Sequence, residues 1–144
     1  MKILFLNGPN LNMLGIREPE IYGQKTYSDL EQYIRDFSAE LGIECKILQS
    51  NHEGVLVDAI QEAYGVMDAI VINAAAYTHT SIAILDAMKS VCLPAVEVHL
   101  SDVSKREDFR QLSYVGMACE QVFSGHGFAG YRMAAEYLLQ ARKD

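Results

Sequence analysis

Two kinds of hydrophobic pattern alternate along the chain. Short continuous apolar runs cover residues 2–7, 43–49, 68–73 and 94–99, with a weaker fifth over 119–123. They are rich in Val, Ile and Leu and bounded by Gly, Pro or Asn, which suits strands covered on both faces. Between them, apolar residues recur at helical spacing. Leu30, Ile34, Phe37 and Leu41 form one stripe, with Thr26 or Ser28 as candidate cap and Gly42 as candidate stop. Leu56, Ile60, Ala63 and Tyr64 form a second stripe ending at Gly65. Ile82, Leu85 and Met88-Lys89 form a third, and Tyr131, Ala134, Ala135 and Leu138 mark a last helix over 130–141.

Strand and helix alternating in this way predict an α/β fold: a parallel sheet with helices on both faces, built as one domain over residues 1–144. Five strands suggest the flavodoxin-like order 2-1-3-4-5. Two stretches break the alternation, a Gly- and Pro-containing loop over 8–25 and a polar stretch over 101–116. Long connections of this kind in a compact domain are usually lids or binding loops.

Open parallel sheets bind ligands at the carboxyl ends of their strands, near the switch in strand order. After the first strand come Asn7-Gly8-Pro9-Asn10-Leu11-Asn12. After the third come Asn73 and then Tyr77-Thr78-His79; after the fourth comes His99-Leu100-Ser101-Asp102. The predicted order makes these three strands neighbours, so asparagines, two histidines and a serine converge beside the 8–25 loop. Glu97 and His99 are two apart on one strand and share a face. A carboxylate there can fix the tautomer of an imidazole and favour its protonated form, which is a general acid. Arg17 and Tyr22 lie in the loop, and a nearby cation favours a tyrosinate. His52 and His126 read instead as structural hydrogen-bonding groups near strand ends.

Gly125-His126-Gly127-Phe128-Ala129-Gly130 is a literal G-x-G-x-x-G. The dinucleotide fingerprint belongs to a first βα unit with a strand and an acidic residue following. Here it opens the last unit, so it reads as a tight turn and close helix–sheet packing. No Gly-x-Ser-x-Gly elbow occurs, and no His, Cys, Asp and Glu set has metal-ligand spacing.

Composition narrows the partner classes. The chain has 144 residues, half of them hydrophobic, with 12 Lys+Arg against 19 Asp+Glu and a net charge of −7. That apolar fraction excludes a disordered chain. The negative balance speaks against nucleic acid and against an anionic membrane surface, but a single positive pocket remains possible within it. No apolar stretch approaches the roughly 18 residues of a membrane helix, and the apolar start, ending at Asn7-Gly8-Pro9, is too short for a signal peptide. The three cysteines, Cys45, Cys92 and Cys119, therefore read as reduced, mostly buried thiols of a cytoplasmic protein.

Taken with their spacing, these residues resemble the type II 3-dehydroquinate dehydratases, and the resemblance runs end to end. It includes residues 3–15, Arg17-Glu18-Pro19, Tyr22-Gly23, Gln49-Ser50-Asn51-His52-Glu53-Gly54 and Ala76-Tyr77-Thr78-His79-Thr80-Ser81. It continues through Glu97-Val98-His99-Leu100-Ser101, Arg106-Glu107, Phe109-Arg110 and Ser113-Tyr114. The resemblance implies a flavodoxin-like enzyme without metal or organic cofactor, assembled as a dodecamer of trimers. It implies loss of water from 3-dehydroquinate through an enolate, giving 3-dehydroshikimate. Tyr22 is then the base, Arg17 keeps it ionised, and Asn10 with a bound water holds the enolate oxygen. His99 is the acid that protonates the leaving hydroxyl, and Glu97 orients it. Asn73, His79 and Arg110 take substrate hydroxyls, while Leu100 and Ser101 grip the carboxylate. Asp86 is a contact from the neighbouring subunit.

The chain departs from the family pattern at four places. Asp102 stands where Asn is usual, Ala74 where Pro is usual, Leu85 where Arg is usual, and Gln111-Leu112 is an unusual pair after Arg110. A carboxylate at 102 pointing inward repels an anionic substrate, so Asp102 is expected to point out or to pair with Lys105 or Arg106.

Overall fold

A computed structural model describes residues 1–16, 20 and 24–143. Five strands, β1 (Lys2–Asn7), β2 (Glu44–Gln49), β3 (Ala69–Asn73), β4 (Ala95–His99) and β5 (Gln121–Ser124), pair in parallel in the order β2-β1-β3-β4-β5. This is the predicted flavodoxin-like order. The helices are α1 (Tyr27–Leu41), α2 (Glu53–Ala63), α3 (Ile82–Val91) and α4 (Ala129–Lys143).

Strand alternation divides the core in two. Ile3, Phe5, Ala69, Val71, Val96 and Val98 pack with Leu30, Ile34 and Phe37 of α1 and with Tyr131, Ala134, Ala135 and Leu138 of α4. Leu4, Leu6, Ile70, Ile72 and Ala95 pack with Leu56 and Ile60 of α2 and with Ile84, Met88 and Val91 of α3. Glu97 and His99 therefore point to the α2/α3 side, and Asn7 and Asn73 to the α1/α4 side. Two caps hold helix starts in place. Thr26 and Asp29 form a capping box at α1, and the Ser81 hydroxyl accepts from the Ile84 N–H at α3.

Several local expectations change. β2 and β5 are edge strands and only partly buried, because the strand order leaves each with a single neighbour. The polar stretch after β4 holds three 3-10 turns, Val103–Lys105, Asp108–Arg110 and Val115–Ala118. In α3 the buried stripe runs through Ile84, Leu85, Ala87, Met88 and Val91, and Ile82 faces solvent in the first turn. Cys92 is exposed as well, since it ends α3 in the left-handed conformation; Cys45 and Cys119 are partly buried. Burial pushes the Cys119 thiol up to about 12, with Glu97 and Glu120 adding to the shift, so it stays protonated. His52 and His126 are exposed, and among the described residues their rings make no hydrogen bond, contrary to the structural role expected of them.

The glycine motif packs as anticipated. A Cβ at Gly130 lies 3.2 Å from Val98 Cγ1, and Gly125 has φ +87° against Asp102. Part of the 8–25 loop is also ordered by packing. Leu11–Met13 is a 3-10 turn, and Leu11 and Leu14 are buried in the α1/α4 core layer. Arg17 and Tyr22 lie outside the described residues.

Ala74 closes β3 with φ −77° and ψ 0°, within the range of proline. Its N–H has no acceptor among the described residues, and Asn73 before it is extended, as a residue preceding proline must be. Gly8 packs on the Ala74 carbonyl and Cα rather than on its nitrogen. Ala74→Pro is expected to stabilise the fold by about 0.4–1 kcal/mol through the unfolded chain, a rise of roughly 1–4 °C in Tm by calorimetry. A lowered Tm contradicts this account of the turn.

Candidate active site

The carboxyl ends of β1, β3 and β4 meet as the strand order requires. A crevice opens there, lined from all three strand ends. Asn10, Asn73, His79, His99, Leu100, Ser101 and Arg110 all line it. Seven of the residues singled out in the sequence are thus brought together. Glu97 stands behind His99. Asp86 is exposed on α3 and is not part of this lining in its own chain.

Glu97 is almost fully buried, and its carboxylate is bonded at both oxygens. Oε2 lies 2.5 Å from His99 Nε2, and Oε1 accepts the Ser113 hydroxyl at 2.6 Å. Burial pushes the Glu97 carboxyl up. The bond and charge of His99, the Ser113 bond and the charge of His79 together outweigh that and hold it below its usual range. A carboxylate only accepts, so His99 carries hydrogen on Nε2, and Nδ1 is the nitrogen left for the crevice.

The His79 ring stacks beside that of His99, with centroids 6.3 Å apart and planes 17° from parallel. His79 Nδ1 donates to the Leu112 carbonyl at 2.8 Å, which leaves Nε2 with its lone pair. Burial pushes the His79 pKa down; the charges of His99 and Arg110 push the same way, against the Leu112 bond and the charge of Glu97. His79 is accordingly a neutral hydrogen-bonding group at neutral pH.

Asn73 is fixed from the other face of the sheet. Its Nδ2 donates to the Tyr131 hydroxyl at 3.1 Å, and Tyr131 donates to Asn7 Oδ1 at 2.6 Å. Asn7 and Asn73 are paired in the β1/β3 register, so the buried phenol bridges two neighbouring strands. Asn73 Oδ1 also accepts from the Ala75 N–H. Asn10 adopts the left-handed conformation at φ 71°, and its N–H donates to Asn51 Oδ1 at 3.0 Å. Gln49 bonds both Asn51 and the Gly8 carbonyl.

The turn after β4 is shaped like an anion cradle. The carbonyls of His99, Leu100 and Ser101 are taken by the N–H groups of Gly125 and Gly127 and by the Ser124 hydroxyl. Among the described residues, the Leu100 and Ser101 N–H groups have no acceptor. Two arginines line the same crevice. Arg110 lines the crevice with its Nε anchored on Glu107 at 3.2 Å, and Arg106 lines it as well. Asp102 meets the expectation that it turns away. It accepts from the Ser104 N–H and hydroxyl and lies 4.0 Å from Lys105 Nζ. The Ser104 hydroxyl bond is the main cause holding the Asp102 carboxyl low.

Sequence reasoning named neither Arg106 nor the supporting residues Ser113, Asn51 and Tyr131 as site residues. Arg106 had two usable signals, its place in the polar 101–116 stretch and in the family motif Arg106-Glu107. The other three work through partners 16 to 124 positions away, which no local pattern encodes.

The chain matches the family model for class II dehydroquinase over residues 1–139. It is 53% identical to the 3-dehydroquinate dehydratase of Clostridium acetobutylicum, over 96% of both chains. It is 49% identical to a catabolic 3-dehydroquinase of Aspergillus flavus, over 96% of this chain and 92% of that one. The crystal structure of the type II dehydroquinase from Butyrivibrio crossotus superposes with a TM-score of 0.95 at 49% identity, covering 96% of this chain and 97% of that one. The resemblance read from the motifs is thereby borne out: the chain belongs to the class II dehydroquinase family.

Proposed function

We propose that the chain is a 3-dehydroquinate dehydratase that converts 3-dehydroquinate to 3-dehydroshikimate by abstracting the proton α to the ketone and then expelling the β-hydroxyl as water. The observation that carries this reading is the Glu97–His99 pair, held in one crevice with Asn10, Asn73, His79, Arg110 and the N–H groups of Leu100 and Ser101.

The chemistry divides between rigid and lid residues. Tyr22, as tyrosinate, takes the α proton, and Arg17 keeps it ionised; both belong to the 8–25 loop. The charge moves onto the ketone oxygen, where Asn10 and a bound water stabilise the enolate. The enolate then collapses and expels the β-hydroxyl. His99 delivers a proton from Nδ1 to that oxygen, and Glu97 is placed to balance the positive charge of the doubly protonated ring. Neutral His79 presents Nε2 to a substrate hydroxyl, and Asn73 and Arg110 hold others. The cradle at Leu100 and Ser101 suits the substrate carboxylate. Loop closure keeps competing water from the tyrosinate. No step calls for a metal or organic cofactor.

The same reading makes Asp86 a group lent to a neighbouring subunit, with trimers building a dodecamer in the cytoplasm. The reaction is a step of the shikimate pathway of aromatic biosynthesis and is shared with quinate breakdown, the use that the Aspergillus relative's name marks. Among the described residues, no helix is long and apolar enough to cross a membrane.

The direct test is the rise of enone absorbance on mixing the chain with 3-dehydroquinate. Tyr22→Phe is expected to abolish it while leaving circular dichroism unchanged; more than a tenth of the wild-type rate removes Tyr22 as the base. His99→Ala is expected to slow dehydration far more than exchange of the α proton into deuterium oxide, since it removes only the acid. Equal loss of both steps argues against that role.

Glu97→Gln keeps the side-chain shape and removes the charge, so kcat is expected to fall by roughly 100-fold with KM little changed. The same variant reports on stability. The folded Glu97 carboxyl is held below its ordinary 4.5, so its contribution is present above about pH 4.5 and lost as pH falls through the folded value. Urea midpoints compared at about pH 6 and about pH 3.5 are expected to fall less in Glu97→Gln than in the wild type. An equal fall in both removes Glu97 as a source of acid sensitivity.

A further inference from the structure

We propose that Ser113 is a positioning residue for the dehydration step: its hydroxyl ties one oxygen of Glu97 so that the other stays aimed at His99. The proposal rests on the dehydratase reading above and adds a group that acts through the acid's partner rather than on the substrate.

A carboxylate bonded at one oxygen can rotate about its last C–C bond, and either oxygen can then take the imidazole. Glu97 lacks that freedom. Oε1 receives the Ser113 hydroxyl hydrogen at 2.6 Å while Oε2 receives His99 Nε2 at 2.5 Å. The hydroxyl is itself oriented, because its oxygen accepts the Gly116 N–H at 2.8 Å and its hydrogen is thus directed at Glu97. The result is an ordered line from the Gly116 amide through Ser113 and Glu97 to His99.

The turn that carries Ser113 is well anchored. The Tyr114 N–H donates to the Thr78 carbonyl at 2.9 Å, and Val115 is fully buried in the α2/α3 core layer. The turn also fits closely around the carboxylate. A Cβ at Gly116 lies 2.7 Å from Glu97 Oε1 and 2.9 Å from Ser113 Oγ, so any larger residue must displace one of these two side chains. The same segment supplies the Leu112 carbonyl that sets the His79 tautomer. One turn therefore orders both histidines of the crevice.

Among the described residues, the groups facing Glu97 are few. His99 shares its strand, His79 comes from the 3-10 turn after β3, and Ser113 and Cys119 flank the turn before β5. The Cys119 thiol is pushed to about 12 and stays neutral. Ser113 is thus the uncharged donor in this set that favours the ionised carboxylate. Its removal leaves a buried oxygen without a partner and makes Glu97 easier to protonate. Once protonated, Glu97 no longer balances the charge of His99.

Kinetics of Ser113→Ala and Ser113→Thr test this. Ser113→Ala is expected to lower kcat about tenfold with KM within about twofold of wild type, as for a lost bond to a charged group. The acidic limb of its kcat–pH profile is expected to move to higher pH, and α-proton exchange to be spared relative to dehydration. Ser113→Thr, which keeps the hydroxyl, is expected to restore most of kcat and the limb. Gly116→Ala gives an independent check, since its methyl presses on the same oxygen with Ser113 intact; the same limb shift is expected. An unmoved acidic limb in both Ser113→Ala and Gly116→Ala overturns the proposal, as does a loss of kcat matched by lowered urea stability with wild-type pH dependence. A wild-type chain without dehydratase activity overturns the functional reading and this inference together; an active wild type with unchanged variants overturns only the inference.

Discussion

An ionised carboxylate buried against a sheet face needs a complete set of partners, and the Glu97 carboxylate imposes that requirement on this fold. It projects from the inner strand β4 toward the side where Ala95 and Val115 belong to the hydrophobic core. Desolvating such a group without compensation costs several kcal/mol. Two hydrogen bonds of about 2.5 Å and two nearby imidazoles answer that cost and leave the carboxyl more acidic than usual. Much of the crevice wall follows from the arrangement. The 112–116 turn must lie over the strand to bring in Ser113, and it then also reaches His79. The interaction that makes Glu97 tolerable in the core is the one that aims His99 outward.

The opposite face of the sheet carries a second polar inclusion with a different character. Tyr27, Asn7, Tyr131 and Asn73 form a chain of neutral hydrogen bonds, and burial pushes the Tyr131 phenol up so that it remains protonated. This chain bridges β1 and β3 at their last register pair and holds the Asn73 amide in one orientation. The end of the sheet is therefore fixed from both sides, by a charged pair on one and a neutral bridge on the other. Such rigidity suits groups that must meet developing charge without reorganising.

How much of this the sequence disclosed depends on the range of the interaction. The strand order and the convergence of Asn10, Asn73, His79, His99 and Ser101 follow from periodicity and from the rule about strand ends, and the fold bears both out. The Glu97–His99 pair is legible because two residues on one strand face share a direction. Ser113 is not legible in this way, since its partner is sixteen positions back and the turns between set its approach. Tyr131 looked like one more core residue of α4; only the rotational phase of that helix brings its hydroxyl between the two asparagines. Ile82 and Cys92 went astray for a related reason, because the helical phase of α3 and the left-handed stop that ends it are decided by packing. Edge strands likewise cannot be told from central ones by composition when both are rich in apolar residues.

Net charge takes on a local meaning once the crevice is drawn. The chain as a whole is at −7, yet Arg106 and Arg110 line the crevice together with the Leu100 and Ser101 turn, whose N–H groups have no acceptor among the described residues. Two acidic side chains of the 101–116 stretch have partners of their own. Asp102 turns Oδ1 to Ser104 and Oδ2 toward Lys105, and Glu107 pairs with the Nε of both arginines. A carboxylate used in this way costs little attraction for an anion, because it orients two positive forks instead of opposing them. The departure from Asn to Asp at 102 is accommodated by the same logic. Its charge is absorbed by an exposed turn, capped by Ser104 and screened by solvent and Lys105, before it can act on the pocket. The acidic surface and the proposed anion-binding crevice are compatible because direction, more than sum, sets the potential inside a narrow opening.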